Sequence, residues 1–338
     1  MSTGRVTLTM VAKRAGVSPQ TVSNALNSPD LLRPDTLERV QQAIEATGYR
    51  PHRAAQTLRT RSSKLIGYGF EPAPAGGTAP VMDRFLHALA ASADAAGHRV
   101  LLFAAPAASS ALEAYQELVD DYNVDGFVLT GTGRGDQRQA WLERHDIPFV
   151  AFGRKWSGRQ IGDWVDVDGG AGTDAAVEHL VELGHRRIAF LGWPRGSGVG
   201  DDRAAGWREA MRRHGLPSRG LRAEAANDPD AARIATAGLL DAGATAVVAA
   251  SDTLAIGAYR ALAERDLTPG RDVAVAGFDD SPAAELLTPG LSSVAQPLED
   301  VGRECVRLLL GRLAEPQRAP EHVLLTPQLK PRASTGTC

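Results

Sequence analysis

Cysteine is almost missing from this chain. Cys305 and Cys338 are the only two among 338 residues, too few for a disulfide framework or a thiolate metal cluster. The eight histidines form no HExxH pair and no ligand-like cluster, so neither a metal nor any other cofactor is expected. No apolar run is long enough to span a bilayer, and the first residues lack a signal-peptide pattern. These absences imply a soluble, cytoplasmic protein with no membrane partner. There is no GxxxxGK[ST] phosphate loop and no GxSxG elbow. Gly131-Thr132-Gly133-Arg134-Gly135 does not match GxGxxG either, and an enzyme is therefore not expected. His179 and His185 read as structural. Nor is the chain basic overall, with a formal net charge of −3.

What charge there is sits unevenly. Residues 1–62 hold nine Lys/Arg against four Asp/Glu, and the remainder holds 28 against 36. A basic head on an acidic body suits a molecule that meets nucleic acid at one end only. The length suits a small domain plus a larger α/β unit, and 43% hydrophobic residues can build a sizeable core.

The stretch Leu8 to Leu26, LTMVAKRAGVSPQTVSNAL, organises the head. Thr9 can cap a first helix whose inner face is Val11, Ala12 and Ala15. Gly16 ends it, Val17 plugs the turn, Ser18 caps a second helix and Pro19 takes its first position. Val22 and Leu26 turn inward, which leaves Gln20, Thr21, Ser23 and Asn24 outside. This is helix-turn-helix chemistry: short polar side chains offered to base edges in a major groove. A third helix runs from Pro34 to about Thr47, with Leu37, Val40, Ala43 and Ile44 inward, and Gly48 closes it. The segment from Tyr49 to Arg61 is basic and alanine-rich. By itself it reads as a solvated linker; with the motif upstream it reads as a hinge that becomes helical only on DNA, where its four arginines meet phosphates and Leu58 wedges into a minor-groove step.

From Leu65 short apolar strands alternate with helices in two successive series, the second beginning with Val165–Val167. Such alternation implies parallel sheets covered on both faces, in two lobes, with a ligand site beyond the strand ends.

Several runs resemble the lactose-repressor (LacI/GalR) family of bacterial transcription regulators. In the head these are Val6-Thr7-Leu8, Val11-Ala12, Ala15-Gly16-Val17-Ser18, Thr21-Val22-Ser23, Leu26-Asn27 and Gly48-Tyr49-Arg50-Pro51, followed by Ala55 to Leu58. The likeness continues through Val124-Asp125-Gly126, Leu183-Gly184-His185, Arg203 to Gly206, Ser251-Asp252, Gly277-Phe278-Asp279-Asp280 and Gln296-Pro297. The resemblance implies a multidomain architecture: an all-α helix-turn-helix head (1–48), a hinge helix (49–62) and a two-lobed α/β core like the periplasmic sugar-binding proteins (63–338). Crossings between lobes are implied near Gly162, Gln296 and Thr326. The first lobe is then about 63–162 with 297–326, and the second about 163–296 with 327–338.

By the same resemblance Pro19, Gln20 and Asn24 meet bases, and Ser18, Thr21, Ser23 and Asn27 meet phosphates. Leu58 inserts beside Ala55, and His52 and Arg53 complete the DNA-contacting set. Asn24 stands where many members have Arg. Arg33 stands where many have a Ser or Thr that caps the third helix. The resemblance implies a homodimer, and Pro331 to Cys338 holds no leucine heptad of the kind that makes some members tetramers. The implied partners are double-stranded operator DNA, bound near the nucleoid, and a small effector held by Arg203, Ser251 and Asp279, with Trp164 stacking on it. Trp156 and Trp193 lie in glycine-rich loops where indole faces suit sugar rings, so the effector expected is a sugar, possibly a disaccharide or glycoside. The alternatives are a purine-type regulator answering a co-repressor and a sugar-binding protein with no DNA role.

Overall fold

The computed structural model describes residues 6–49, 62–70, 80–105, 111–122 and 124–336. His52, Arg53, Ala55 and Leu58 lie outside them. The chain divides into two compact units, Met1–Ser63 and Lys64–Cys338.

The head is three helices: α1 (Leu8–Ala15), α2 (Pro19–Asn27) and α3 (Pro34–Thr47). Val11, Ala12, Ala15, Val22, Val40 and Ala43 are buried together, with Val6, Val17, Leu26, Ile44 and Tyr49 packed around them. Gly16 and Gly48 end α1 and α3 in the left-handed conformation, at φ +66° and +62°, where a Cβ would be strained. Ser18 accepts a hydrogen bond from the Thr21 N–H at 3.1 Å and so caps α2. The cap expected at Thr9 is corrected. The N-cap lies two residues earlier, at Thr7, whose side chain makes no cap bond, and the helix begins at Leu8, which joins the packing under α1. Arg33 stands at the N-cap of α3 without a side-chain cap bond.

The larger unit holds two six-stranded sheets. The first is built from β1 (Leu65–Phe70), β2 (Arg99–Ala104), β3 (Gly126–Leu129), β4 (Phe149–Phe152), β5 (Asp163–Val167) and β11 (His322–Leu325). Their order is β11-β5-β4-β3-β1-β2 and every pairing is parallel. Helices α4 (Pro80–Ala95), α5 (Ala111–Tyr122), α6 (Arg138–Arg144) and α12 (Leu298–Ala314) belong to this lobe. Apolar clusters form on both faces of the sheet, around Phe85 and Leu309 on one and around Tyr115 and Phe127 on the other.

The second sheet holds β6 (Ile188–Gly192), β7 (Arg222–Glu224), β8 (Ala246–Ala249), β9 (Ala274–Asp279), β10 (Ser292–Ala295) and β12 (Gln328–Lys330). Its order is β12-β10-β9-β8-β6-β7, parallel except that β12 runs antiparallel to β10. With it go α7 (Gly169–Glu182), α8 (Val199–Arg213), α9 (Pro229–Asp241), α10 (Asp252–Ala263) and the short α11 (Pro282–Leu286). Its core gathers Leu180, Phe190, Trp207, Met211 and Leu254. Each such fully buried side chain contributes roughly 1.5–3 kcal/mol.

The crossing that the resemblance implies near Gly162 is corrected: β5 pairs with β4 and β11, so the chain leaves the first lobe only after Val167. Asp163 explains the placement. Its fully buried carboxylate takes hydrogen bonds from Arg312 (3.1 Å), Arg318 (2.8 Å) and the Glu321 N–H (2.7 Å), all first-lobe groups. A buried charge is tolerable only where such partners converge. The other two passages follow β10 and β11, beside Gln296 and Thr326.

Candidate functional site

On the head, α2 carries no charged residue. Pro19 and Gln20 are exposed, and Thr21, Ser23 and Asn24 are half-buried. Gln20 Nε2 donates to Asn24 Oδ1 at 3.0 Å, one helical turn on, and the Ser18 and Thr21 hydroxyls lie 2.9 Å apart. The amide pair is therefore ordered before any partner arrives. It keeps the Gln20 oxygen and the Asn24 amino group for a base edge. Basic side chains flank α2 rather than lie on it: Lys13 and Arg14 end α1, and Arg33 precedes α3. Asn27 closes α2.

In the core Trp193, Arg203, Ser251 and Asp279, four of the expected effector residues, converge beyond the carboxyl ends of β6, β8 and β9. Arg203, just past the first turn of α8, is 5% exposed. Its guanidinium lies 3.6 Å from the centre of the Phe278 ring and 5.3 Å from that of Trp193. Asp279 stands 3.5 Å away, and the Ala250 carbonyl accepts from Nη1. Arg203 Nε is buried with no hydrogen-bond partner. Burial pulls the guanidinium's basicity down, and Asp279 opposes the effect. Burial likewise raises the Asp279 carboxyl, against the pull of Arg203. Gln296 donates to Asp279 at 2.7 Å. Asp279 itself sits at φ +109°, an unfavourable angle for a residue with a side chain, and such strain gathers at working sites.

Ser251 is 1% exposed. It caps α10 through the Leu254 N–H (3.2 Å) and donates to Asn227 Oδ1 (2.7 Å). Trp193 Nε1 donates to that same amide oxygen at 3.2 Å. Asp252, whose residue type also caps helices, is the first residue of α10. Its buried carboxylate accepts from the Ser281 N–H (2.6 Å) and the Ser293 hydroxyl (2.5 Å). Burial, with the charge of Asp279 added, pushes Asp252 up to about 7.

Trp156 lies over Arg154, with 4.6 Å from guanidinium to ring centre, and its indole nitrogen is buried without a partner. His179 and His185 bond the hydroxyls of Thr335 (2.9 Å) and Thr245 (3.1 Å), as structural histidines do.

Residues 7–52 match the model for bacterial regulatory proteins of the lacI family, and residues 177–335 match that for a periplasmic binding protein-like domain. The HTH-type transcriptional regulator CelR of Thermobifida fusca is 33% identical over 344 residues, 98% of each chain. The chain belongs to the LacI family. Two solved structures of LacI-family proteins cover 98% of it and 100% of their own length. The transcriptional regulator CelR–cellobiose complex has a TM-score of 0.75 at 31% identity. The lac repressor dimer bound to operator and an anti-inducer has 0.84 at 29%.

One expected member of this LacI-family cleft is misplaced. Trp164 is the second residue of β5, at the amino end of the strand, and it stacks on His322 with ring centres 4.7 Å apart. It packs with Phe149 and Ile161 on the sheet face, away from the carboxyl ends where the other residues meet. Asn227, Phe278 and Gln296 belong to the cluster although chemical pattern did not single them out. Asn227 closes a loop that only the tertiary fold brings to Ser251, and its one advance sign is the Asp228-Pro229 helix start that follows it.

Proposed function

We propose that this chain is a sequence-specific DNA-binding transcription regulator, acting as a repressor, whose operator affinity is set by a small sugar held between the core lobes. The observation that carries the reading is the presence on one chain of the exposed Gln20–Asn24 amide pair and the buried Arg203–Asp279 pair. The first offers donors and acceptors to a base edge. The second offers a rigid fork of donors and a carboxylate, between aromatic faces, which suits vicinal hydroxyls of a sugar ring. Trp156 and Trp193, the two indoles of the cleft, favour a disaccharide or glycoside. The relative whose complex holds cellobiose supports that class, and the operator-bound lac repressor dimer supports a homodimer reading a two-fold operator. Its place of action is the cytoplasm, beside the chromosome.

The contacts proposed are Ser18, Pro19, Gln20, Thr21, Ser23, Asn24 and Asn27 on the head, and His52, Arg53, Ala55 and Leu58 in the segment that follows. For the sugar they are Trp156, Trp193, Arg203 and Asp279, with Ser251 holding Asn227 in place. Gel-shift titration of operator-containing fragments tests the reading. Specific binding is expected to fall by roughly a thousandfold or more between 50 and 200 mM salt, and one member of a mono- and disaccharide panel is expected to change it. Salt-insensitive binding, or indifference to every sugar, would overturn the corresponding half.

A further inference from the structure

One charged cluster at the cleft mouth lies outside the sugar contacts above. Arg154 follows β4 in the first lobe. Its Nε donates to Asp166 Oδ2 at 2.8 Å, and its own N–H reaches the same oxygen at 3.2 Å. Asp166 is 6% exposed and lies on β5, so the arginine is anchored on its own lobe. Its remaining arm crosses the cleft: Nη2 meets Asp202 Oδ2 at 3.1 Å, on the first turn of α8 in the second lobe. The same carboxylate oxygen accepts the Gly170 N–H at 3.1 Å, where α7 begins. Burial raises the Asp202 carboxyl, and Arg154 is the largest influence opposing it.

The indole of Trp156 adds a second crossing. It covers Arg154 and presses on Gly198, the N-cap of α8, so closely that a Cβ there would lie 2.4 Å from the ring. Gly198 also has φ +70°, which a side chain would resist. Farther out, Arg134 of the first lobe approaches Asp201 at 3.5 Å, with the arginine side chain 57% exposed and thus well screened. The start of α8 is therefore held from the opposite lobe at three points, the N-cap Gly198 and the first-turn residues Asp201 and Asp202. The next residue is Arg203. Neighbours on a helix point about 100° apart, so Asp202 can face the first lobe while Arg203 faces the cleft floor.

We propose that Arg154 is a positioning residue of the sugar cleft: through Asp202 it fixes the first turn of α8 and thereby aims Arg203. This rests on the cleft being the effector site. Arg154 commits Nε and Nη2 to two carboxylates, and its effect on a sugar is transmitted along the helix.

Hydrogen–deuterium exchange of the full-length protein without sugar provides a test that needs no ligand. Arg154→Met and Asp202→Asn are each expected to speed exchange of the amides of residues 199–204 by about tenfold. The double variant should be no faster than either single, because both remove one interaction. Amides of β6 and β8 should keep the parent's rates, and Arg154→Lys, able to reach one carboxylate, should recover part of the protection. Changes within twofold at 199–204, or a double variant near a hundredfold, would overturn the proposal. A second arm follows tryptophan fluorescence with cellobiose, maltose, lactose, glucose and ribose. The sugar that binds the parent should bind Arg154→Met about tenfold more weakly, and unchanged binding counts against the proposal. If no sugar binds the parent, the effector reading fails while the exchange arm still decides whether Arg154 holds α8.

Discussion

Asp252 carries a titration that the protein's stability should report. Burial lifts its carboxyl to about 7 from an ordinary value near 4. Because the folded-state value is the higher one, the folded protein holds the proton more tightly. The stabilising contribution is complete below the unfolded value and is lost as pH rises through about 7. Asp252→Asn has nothing to titrate there, and its amide can still serve the Ser281 N–H and Ser293. The melting temperature of the parent relative to this variant is expected to be greater at pH 5 than at pH 8. An offset independent of pH would show that the carboxyl does not titrate in that window. Ser251 and Asp252 also show what sequence leaves open at this scale. Both residue types cap helices, and adjacent in the chain they are interchangeable by local rule. Burial and the approach of Ser281 and Ser293 decide between them. Trp164 fails for a related reason. A tryptophan advertises a ring to stack on, but its position along a strand determines which end of the sheet it meets.

Three helix boundaries in the head were legible from a cap or a closing glycine, though the cap expected at Thr9 was not one of them. Ser18, Gly16 and Gly48 place α2 and the ends of α1 and α3 without tertiary information. The start of α7 was not legible: Gly169-Gly170-Ala171-Gly172 reads as a loop, and Thr173 looks like the first helical residue. Asp168 instead caps at the Ala171 N–H (2.8 Å), and the glycines are helical because α8 passes against them. At Gly206 of α8 an added Cβ would lie 2.1 Å from the Gly170 carbonyl oxygen, with no flexible side chain to yield. Gly206→Ala is thus expected to force the two helices apart, costing about 1–3 kcal/mol. Since α8 carries Arg203, sugar affinity should fall with it. Chemical denaturation and sugar titration on one preparation test both, and a variant as stable as the parent would mean that the helices separate freely. β5 was legible as a strand but not as a member of the first lobe, because the clamp of Arg312 and Arg318 on Asp163 is supplied by chain about 150 residues later.

For the whole molecule, a sugar that weakens operator binding must itself bind more weakly when operator is present. Isothermal titration of sugar into the free protein and into the operator complex should give affinities whose ratio, squared for the two sites of a dimer, equals the sugar-induced change in operator affinity. Equal sugar affinities beside a changed operator affinity would exclude a simple two-state linkage. The two-lobed α/β architecture and the head were legible from alternation, caps and charge. The assignment of chain to lobes was less so, since it depends on pairings between distant strands.

That interleaving orders events during synthesis. The helices of the head lie within the first 47 residues. Neither sheet receives its last strand until the ribosome has passed Leu325 for one and Lys330 for the other. The head therefore leaves the ribosome well before either sheet can close. Until Lys330 has been made, a nascent chain carries a finished head beside an unfinished core.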